Sequence, residues 1–182
     1  FEFWNDGKDL VYSNEAMNFV MYADAPDTTP IVVSCWVTGP NNYIKIYTPY
    51  LASEVGVSQR HAGSLDTSKF RFYRTTNATS SAFLRITQDF VHVEGVQFHE
   101  TADDGAEASL NIEFAGIYHR NAVHLVSHNI FAGPGLAAVN NHTAYRWAST
   151  DDTPAIMKAW NNLIYGFRGQ GIYDATYFEH GN

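Results

Sequence analysis

Three segments decide the fold: Val91-His92-Val93-Glu94-Gly95-Val96-Gln97-Phe98, His124-Leu125-Val126-Ser127-His128-Asn129-Ile130-Phe131 and Met157-Lys158-Ala159-Trp160-Asn161-Asn162-Leu163-Ile164. They align at a constant offset of 33 residues. Val93, Val126 and Ala159 share one register, and Phe98, Phe131 and Ile164 share a second. A third register holds Val96, Asn129 and Asn162. Helical repeats of similar length need two amphipathic helices per unit. These segments are short, aromatic and β-branched, with Gly and Asn beside them, so they read as strands.

Shorter strands fit between them at Leu84-Arg85-Ile86, Asn111-Ile112-Glu113-Phe114 and Tyr145-Arg146-Trp147. Residues 135–139 and 171–175 read as another stacked pair. Two or three strands per repeat, joined by turns and one longer loop, predict an all-β, right-handed parallel β-helix, a solenoid of stacked coils. Parallel strands lie about 4.8 Å apart, so equivalent side chains sit above one another as ladders. Asn129 over Asn162 is then an internal amide ladder that satisfies turn backbone groups. Two exposed turn asparagines are the competing reading.

The first third is less regular. Residues 14–22 read as a short amphipathic helix or, equally, as a strand around 19–22. Residues 31–37 and 43–47 read as strands joined by the turn Thr38-Gly39-Pro40-Asn41-Asn42. Residues 54–68 read as a long loop, and 101–108 and 150–153 as exposed insertions.

Composition agrees with a packed sheet protein. Hydrophobic residues make up 45% and charged residues 16% of 182, which excludes a disordered chain. The formal net charge of −8 disfavours nucleic acid and anionic lipid as partners. Acidic sugar polymers are disfavoured too, without a local basic groove or Ca2+. No stretch has the roughly 20 apolar residues of a membrane span. The single cysteine, Cys35, lies in an apolar run and reads as a small buried hydrophobe. The first and last residues lack a signal-peptide pattern or a polar cap. The chain therefore reads as one domain over 1–182, a segment of something longer or a subunit with open ends.

The runs Asn42-Tyr43-Ile44-Lys45-Ile46-Tyr47-Thr48-Pro49, Gly56-Val57-Ser58-Gln59-Arg60-His61-Ala62-Gly63 and Asp89-Phe90-Val91-His92-Val93-Glu94-Gly95-Val96-Gln97-Phe98 resemble stretches of bacterial right-handed parallel β-helix repeat proteins. The likeness covers residues 28–175 and points to the pectate-lyase-like superfold. It implies fold more than activity, because that fold hosts lyases, hydrolases, tailspikes and adhesins. Neither the aspartate cluster of calcium-dependent pectate lyases nor the paired aspartates of polygalacturonases has a match here.

Candidate chemistry centres on Tyr118-His119-Arg120-Asn121, followed by His124 and His128. Eliminating across a uronate needs a base and a cation, roles open to His119 and Arg120, with Arg146 and Lys158 one coil on and on a shared face. The bland reading makes His119 and Arg120 solvated loop residues and His124 an inward, hydrogen-bonded residue over Val91 and Met157. Asp103, Asp104 and Glu107 are candidates for Ca2+ or form a solvated acidic loop. No other cofactor is implied, and no transition-metal spacing is evident. Trp147, Trp160, Tyr165, Phe167, Tyr173 and Tyr177 could stack on sugar rings or fill the core. Asn77-Ala78-Thr79 and Asn141-His142-Thr143 are glycosylation sequons.

Three functions follow as expectations. The first is an extracellular or surface-associated module with a structural, adhesive or filament-forming role, its partner a second copy or a polysaccharide. The second is a polysaccharide lyase or other carbohydrate-active enzyme. The third is a trimeric tail or spike domain. The missing motifs make a non-enzyme the leading reading.

Overall fold

The computed structural model describes residues 2–4, 8–55, 57–75, 82–101, 110–115, 122–135, 143–148, 156–169 and 171–174. Strand is the dominant element. The order is β1 (Glu2–Trp4), α1 (Leu10–Ser13), β2 (Met17–Val20), β3 (Ile31–Val33), β4 (Ile44–Tyr47), α2 (Ala52–Val55) and β5 (Arg71–Arg74). It continues with β6 (Leu84–Ile86), β7 (Val91–Glu94), β8 (Gln97–Glu100), β9 (Leu110–Ala115) and β10 (Val123–Ser127). The last elements are β11 (Ile130–Ala132), β12 (Thr143–Ala148), β13 (Ile156–Trp160), β14 (Leu163–Tyr165) and β15 (Ile172–Asp174).

These strands form three parallel sheets, ordered β1-β3-β6-β9-β12-β15, β13-β10-β7-β4-β2 and β14-β11-β8-β5. From β4 onward the chain visits the five-, four- and six-stranded sheets in rotation. Val93 pairs with Val126, and Val126 with Ala159. Phe72 pairs with Phe98, Phe98 with Phe131, and Phe131 with Ile164. The strands alternate inward and outward residues, so each such row lies on one face of its sheet.

The inward rows make the core. Ile44, Ile46, Val91, Val93 and Val126 come from the five-stranded sheet, and Ile31, Val33, Leu84, Ile86, Ile112 and Tyr145 from the six-stranded one; all are buried. From the four-stranded sheet, the Phe72 and Phe98 rings stack at 5.3 Å and those of Phe98 and Phe131 at 5.0 Å with only 4° between their planes. Direct stacking follows from parallel in-register pairing, which sets identical residues one strand spacing apart.

Several sequence expectations need correction. Residues 14–22 form no helix. The helical turn is α1, where the Asp9 side chain accepts from Tyr12 N–H and Asn14, at φ 52°, closes the turn with its N–H on Leu10 and Val11 carbonyls. The following strand is Met17–Val20, two residues earlier than expected. The strand at 31–37 stops at Val33. Cys35 takes φ 65°, which breaks the alternation and turns its thiol to solvent rather than into the core. Trp36 is buried instead, its N–H donating to Gln88 Oε1 at 2.8 Å. Strand β15 pairs with β12, Tyr145 opposite Ile172; of the stretch 135–139 expected to stack with it, residues 136–139 lie outside the described residues. The loop after β4 opens with the single turn α2, which the Glu54 carboxylate caps by accepting from Leu51 and Tyr50 N–H.

Candidate functional site

Parallel strands project every second side chain outward, so the outer face of the five-stranded sheet carries two rows. Asn18, Lys45, His92, Leu125 and Lys158 form one; Val20, Tyr47, Glu94, Ser127 and Trp160 form the other. The loop of residues 57–69 lies against the edge of this face, where the sheet turns into its four-stranded neighbour.

Glu94 is the hub. Its Oε2 lies 2.8 Å from Lys45 Nζ and its Oε1 2.7 Å from Arg60 Nη2. Burial opposes ionisation, but hydrogen bonds from both cations hold the carboxyl below its ordinary range. Arg60 also donates to the Thr48 carbonyl at 3.2 Å, and its guanidinium sits 4.2 Å from the Tyr50 ring centroid. Lys45 Nζ lies 4.6 Å from the Tyr47 ring centroid. The Tyr47 hydroxyl reaches Glu54 Oε1 at 3.4 Å; burial, then the Glu54 charge, push its pKa up, so it remains a donor. The His92 ring stacks on Tyr43 at 4.3 Å. Burial, assisted by Lys45, pushes His92 down to about 4, so this imidazole is neutral at pH 7.

Gly95 makes the cluster compact. At φ 74° it turns the chain from β7 to β8, and a Cβ there would overlap Arg60 Nε and lie 2.6 Å from Thr48 Oγ1. That hydroxyl donates to the Gly95 carbonyl at 2.6 Å. Only glycine satisfies both the left-handed conformation and the arginine's close approach.

Two cations (Lys45, Arg60) and two carboxylates (Glu54, Glu94) balance one another. Neither carboxylate stands free as an acid or base: Glu94 is held by two cations and Glu54 caps α2. Charge-paired donors beside the rings of Tyr43, Tyr47 and Tyr50 suit the binding of a polyhydroxylated ligand better than proton transfer.

Asn129 and Asn162 lie on the next turns along the same edge. Val96 N–H donates to Asn129 Oδ1 at 2.9 Å, and Asn129 N–H to Asn162 Oδ1 at 3.0 Å. Asn129 Nδ2 donates to Val93 O at 3.0 Å and to Asn162 Oδ1 at 3.1 Å, while Asn162 Nδ2 donates to Val126 O at 2.8 Å. Asn129 is fully buried.

The residues singled out for catalysis do not converge. Arg146 is in β12 of the six-stranded sheet and Lys158 in β13 of the five-stranded sheet, so they share no face. In register, Arg85, Glu113, Arg146 and Tyr173 form one row of the six-stranded sheet. His124 is buried in β10 opposite Met157, with Val91 N–H directed at its Nδ1 at 3.5 Å. Burial, then the neighbouring His92, lowers it to about 3. His119, Arg120, Asp103, Asp104 and Glu107 lie outside the described residues, as do Asn77, Asn141 and Tyr177. Among the described residues no group of three or more His, Cys, Asp or Glu side chains could hold a metal ion. Nor is any described helix long and apolar enough to cross a membrane. Trp160 and Tyr165 are exposed, whereas Phe167 is buried.

The site that does form was not legible because its members, from Tyr43 to Glu94, are 51 residues apart in sequence at the extremes and lie in separate segments. A signal existed nonetheless: Lys45, Arg60 and Glu94 belong one each to the three stretches that carry the family resemblance. Comparison with known proteins finds no matching family model, no matching curated protein and no matching solved structure.

Proposed function

We propose that the chain is a right-handed parallel β-helix module, extracellular or surface-associated, that binds a polysaccharide along the outer face of its five-stranded sheet. Its role in this reading is adhesive or structural. Rotation through three parallel sheets supports the β-helix, and right-handed crossovers are the rule for parallel strands. The family resemblance of residues 42–49, 56–63 and 89–98 points the same way.

The observation that carries the binding role is the outer cluster of Tyr43, Lys45, Tyr47, Tyr50, Arg60 and Glu94. Lys45 and Tyr47 project from β4, and β7 sets His92 and Glu94 beside them about 4.8 Å away, an extended face of rings and paired charges suited to an extended polymer. Its balanced charge, on a chain of net −8, favours a neutral polymer over a polyuronate. Affinity electrophoresis through gels containing neutral or acidic polysaccharides tests this. A neutral polymer is expected to retard the chain, and Tyr50→Ala to weaken that affinity about tenfold, or 1.4 kcal/mol. Migration unaffected by every polymer refutes the reading.

A second reading, a polysaccharide lyase, draws on the row Arg85, Glu113 and Arg146, which sets two cations on one face of the six-stranded sheet. Release of unsaturated uronate, seen as ultraviolet absorbance and lost in Arg146→Ala, would favour it over binding alone.

A further inference from the structure

The loop of residues 57–69 is pinned at three residues, Gln59, Arg60 and Asp66. Gln59 N–H donates to Pro49 O at 2.9 Å, and Gln59 Oε1 accepts from Ala23 N–H at 3.1 Å. Arg60 holds Glu94 and Thr48. Asp66 N–H donates to Gln97 Oε1 at 2.7 Å, and Gln97 Nε2 returns a bond to Asp66 O at 2.9 Å. Between these pins sits His61, whose Nε2 is 2.7 Å from His128 O and whose Nδ1 accepts from Gly63 N–H at 3.1 Å.

This geometry fixes the state of the ring. A carbonyl can only accept, so Nε2 carries a proton; Gly63 N–H can only donate, so Nδ1 is bare. A second proton on Nδ1 would point at the Gly63 N–H and break that bond. We infer that residues 57–69 form a strap latched by neutral His61 across the turn between the five- and four-stranded sheets, and that acid loosens it from its Gly63 end.

The charged and titratable groups facing His61 are Arg60 and Asp66 of the strap and His128 of the turn after β10. Arg60 and His128 oppose a second proton, whereas Asp66 and the His128 carbonyl favour it. Burial opposes it most, and the net effect holds the ring below the ordinary 6.5. Asp66 does not switch in the same range, because hydrogen bonds from Ser68 hold its carboxyl below 3.8. With the closed strap binding fewer protons than the open one, closure is favoured above pH 6.5 and weakens as the pH falls through it. The device is independent of what the outer face binds.

Amide hydrogen exchange, corrected for the intrinsic rate at each pH, tests the latch. Below pH 6.5, Gly63 and Asp66 should lose protection by up to about tenfold per pH unit, while Val93 and Val126 stay protected. His61→Gln keeps a donor for the His128 carbonyl but takes no proton there, so its strap should exchange independently of pH. Nitrogen chemical shifts should report a proton on His61 Nε2 at neutral pH. Acid opening that persists in His61→Gln, protection lost at Val93 together with Gly63, or a proton on Nδ1 at neutral pH would each overturn the inference.

Discussion

Replacing Asn129 by alanine removes three side-chain hydrogen bonds: to Val93 O, to Asn162 Oδ1, and from Val96 N–H. Each contributes about 1 kcal/mol net, and the Val96 N–H left buried without its acceptor adds about 1–3 kcal/mol more. Water cannot compensate readily, because Asn129 is fully buried. The expected cost of Asn129→Ala is therefore about 4–6 kcal/mol. Asn162 makes similar bonds but is only half-buried, so water can take over some of them. Asn162→Ala should cost roughly half as much. Urea unfolding followed by tryptophan fluorescence measures both, with unchanged m-values showing that the same surface unfolds. An Asn129→Ala protein within about 1 kcal/mol of the parent would show that the ladder does not hold the turns together.

Gly95→Ala should destabilise by about 1–3 kcal/mol through its left-handed backbone alone. It should also displace Arg60 and expose residues 57–69 to proteolysis, while a fully protected loop would contradict the packing of Arg60 over Gly95. Phe98→Ala leaves a void between Phe72 and Phe131 and should cost about 3–5 kcal/mol by the same urea assay. Thermal stability should fall as the pH drops below 6.5, because burial holds His92 down to about 4 and His124 down to about 3, and the unfolded chain binds those protons first. His92→Phe keeps the stack on Tyr43 without a titrating ring, so its melting temperature should depend less steeply on pH; an unchanged slope would assign the effect elsewhere.

The pairing among β7–β8, β10–β11 and β13–β14 was legible in the sequence because each of these strand pairs is joined by a tight turn of the same length. Val93, Val126 and Ala159 keep one spacing, as do Phe98, Phe131 and Ile164. The six-stranded sheet was harder to read. Its strands follow connections of unequal length, so Leu84 meets Ile112 and Tyr145 meets Ile172 at other intervals. Cys35 was misread for a local reason: strand periodicity assumes φ below zero, and one left-handed residue reverses the sides that follow.

By itself, then, the amino-acid sequence determined the strand type, the repeat and the inward rows, because these depend on side-chain chemistry recurring at fixed intervals. It also named both asparagines of the ladder. Only the tertiary structure decided that Lys45, Arg60 and Glu94 meet, that Gly95 makes room for the arginine, and that His61 closes on the His128 carbonyl. Those contacts depend on how an irregular loop crosses a turn, and an irregular loop carries no period from which its path can be read.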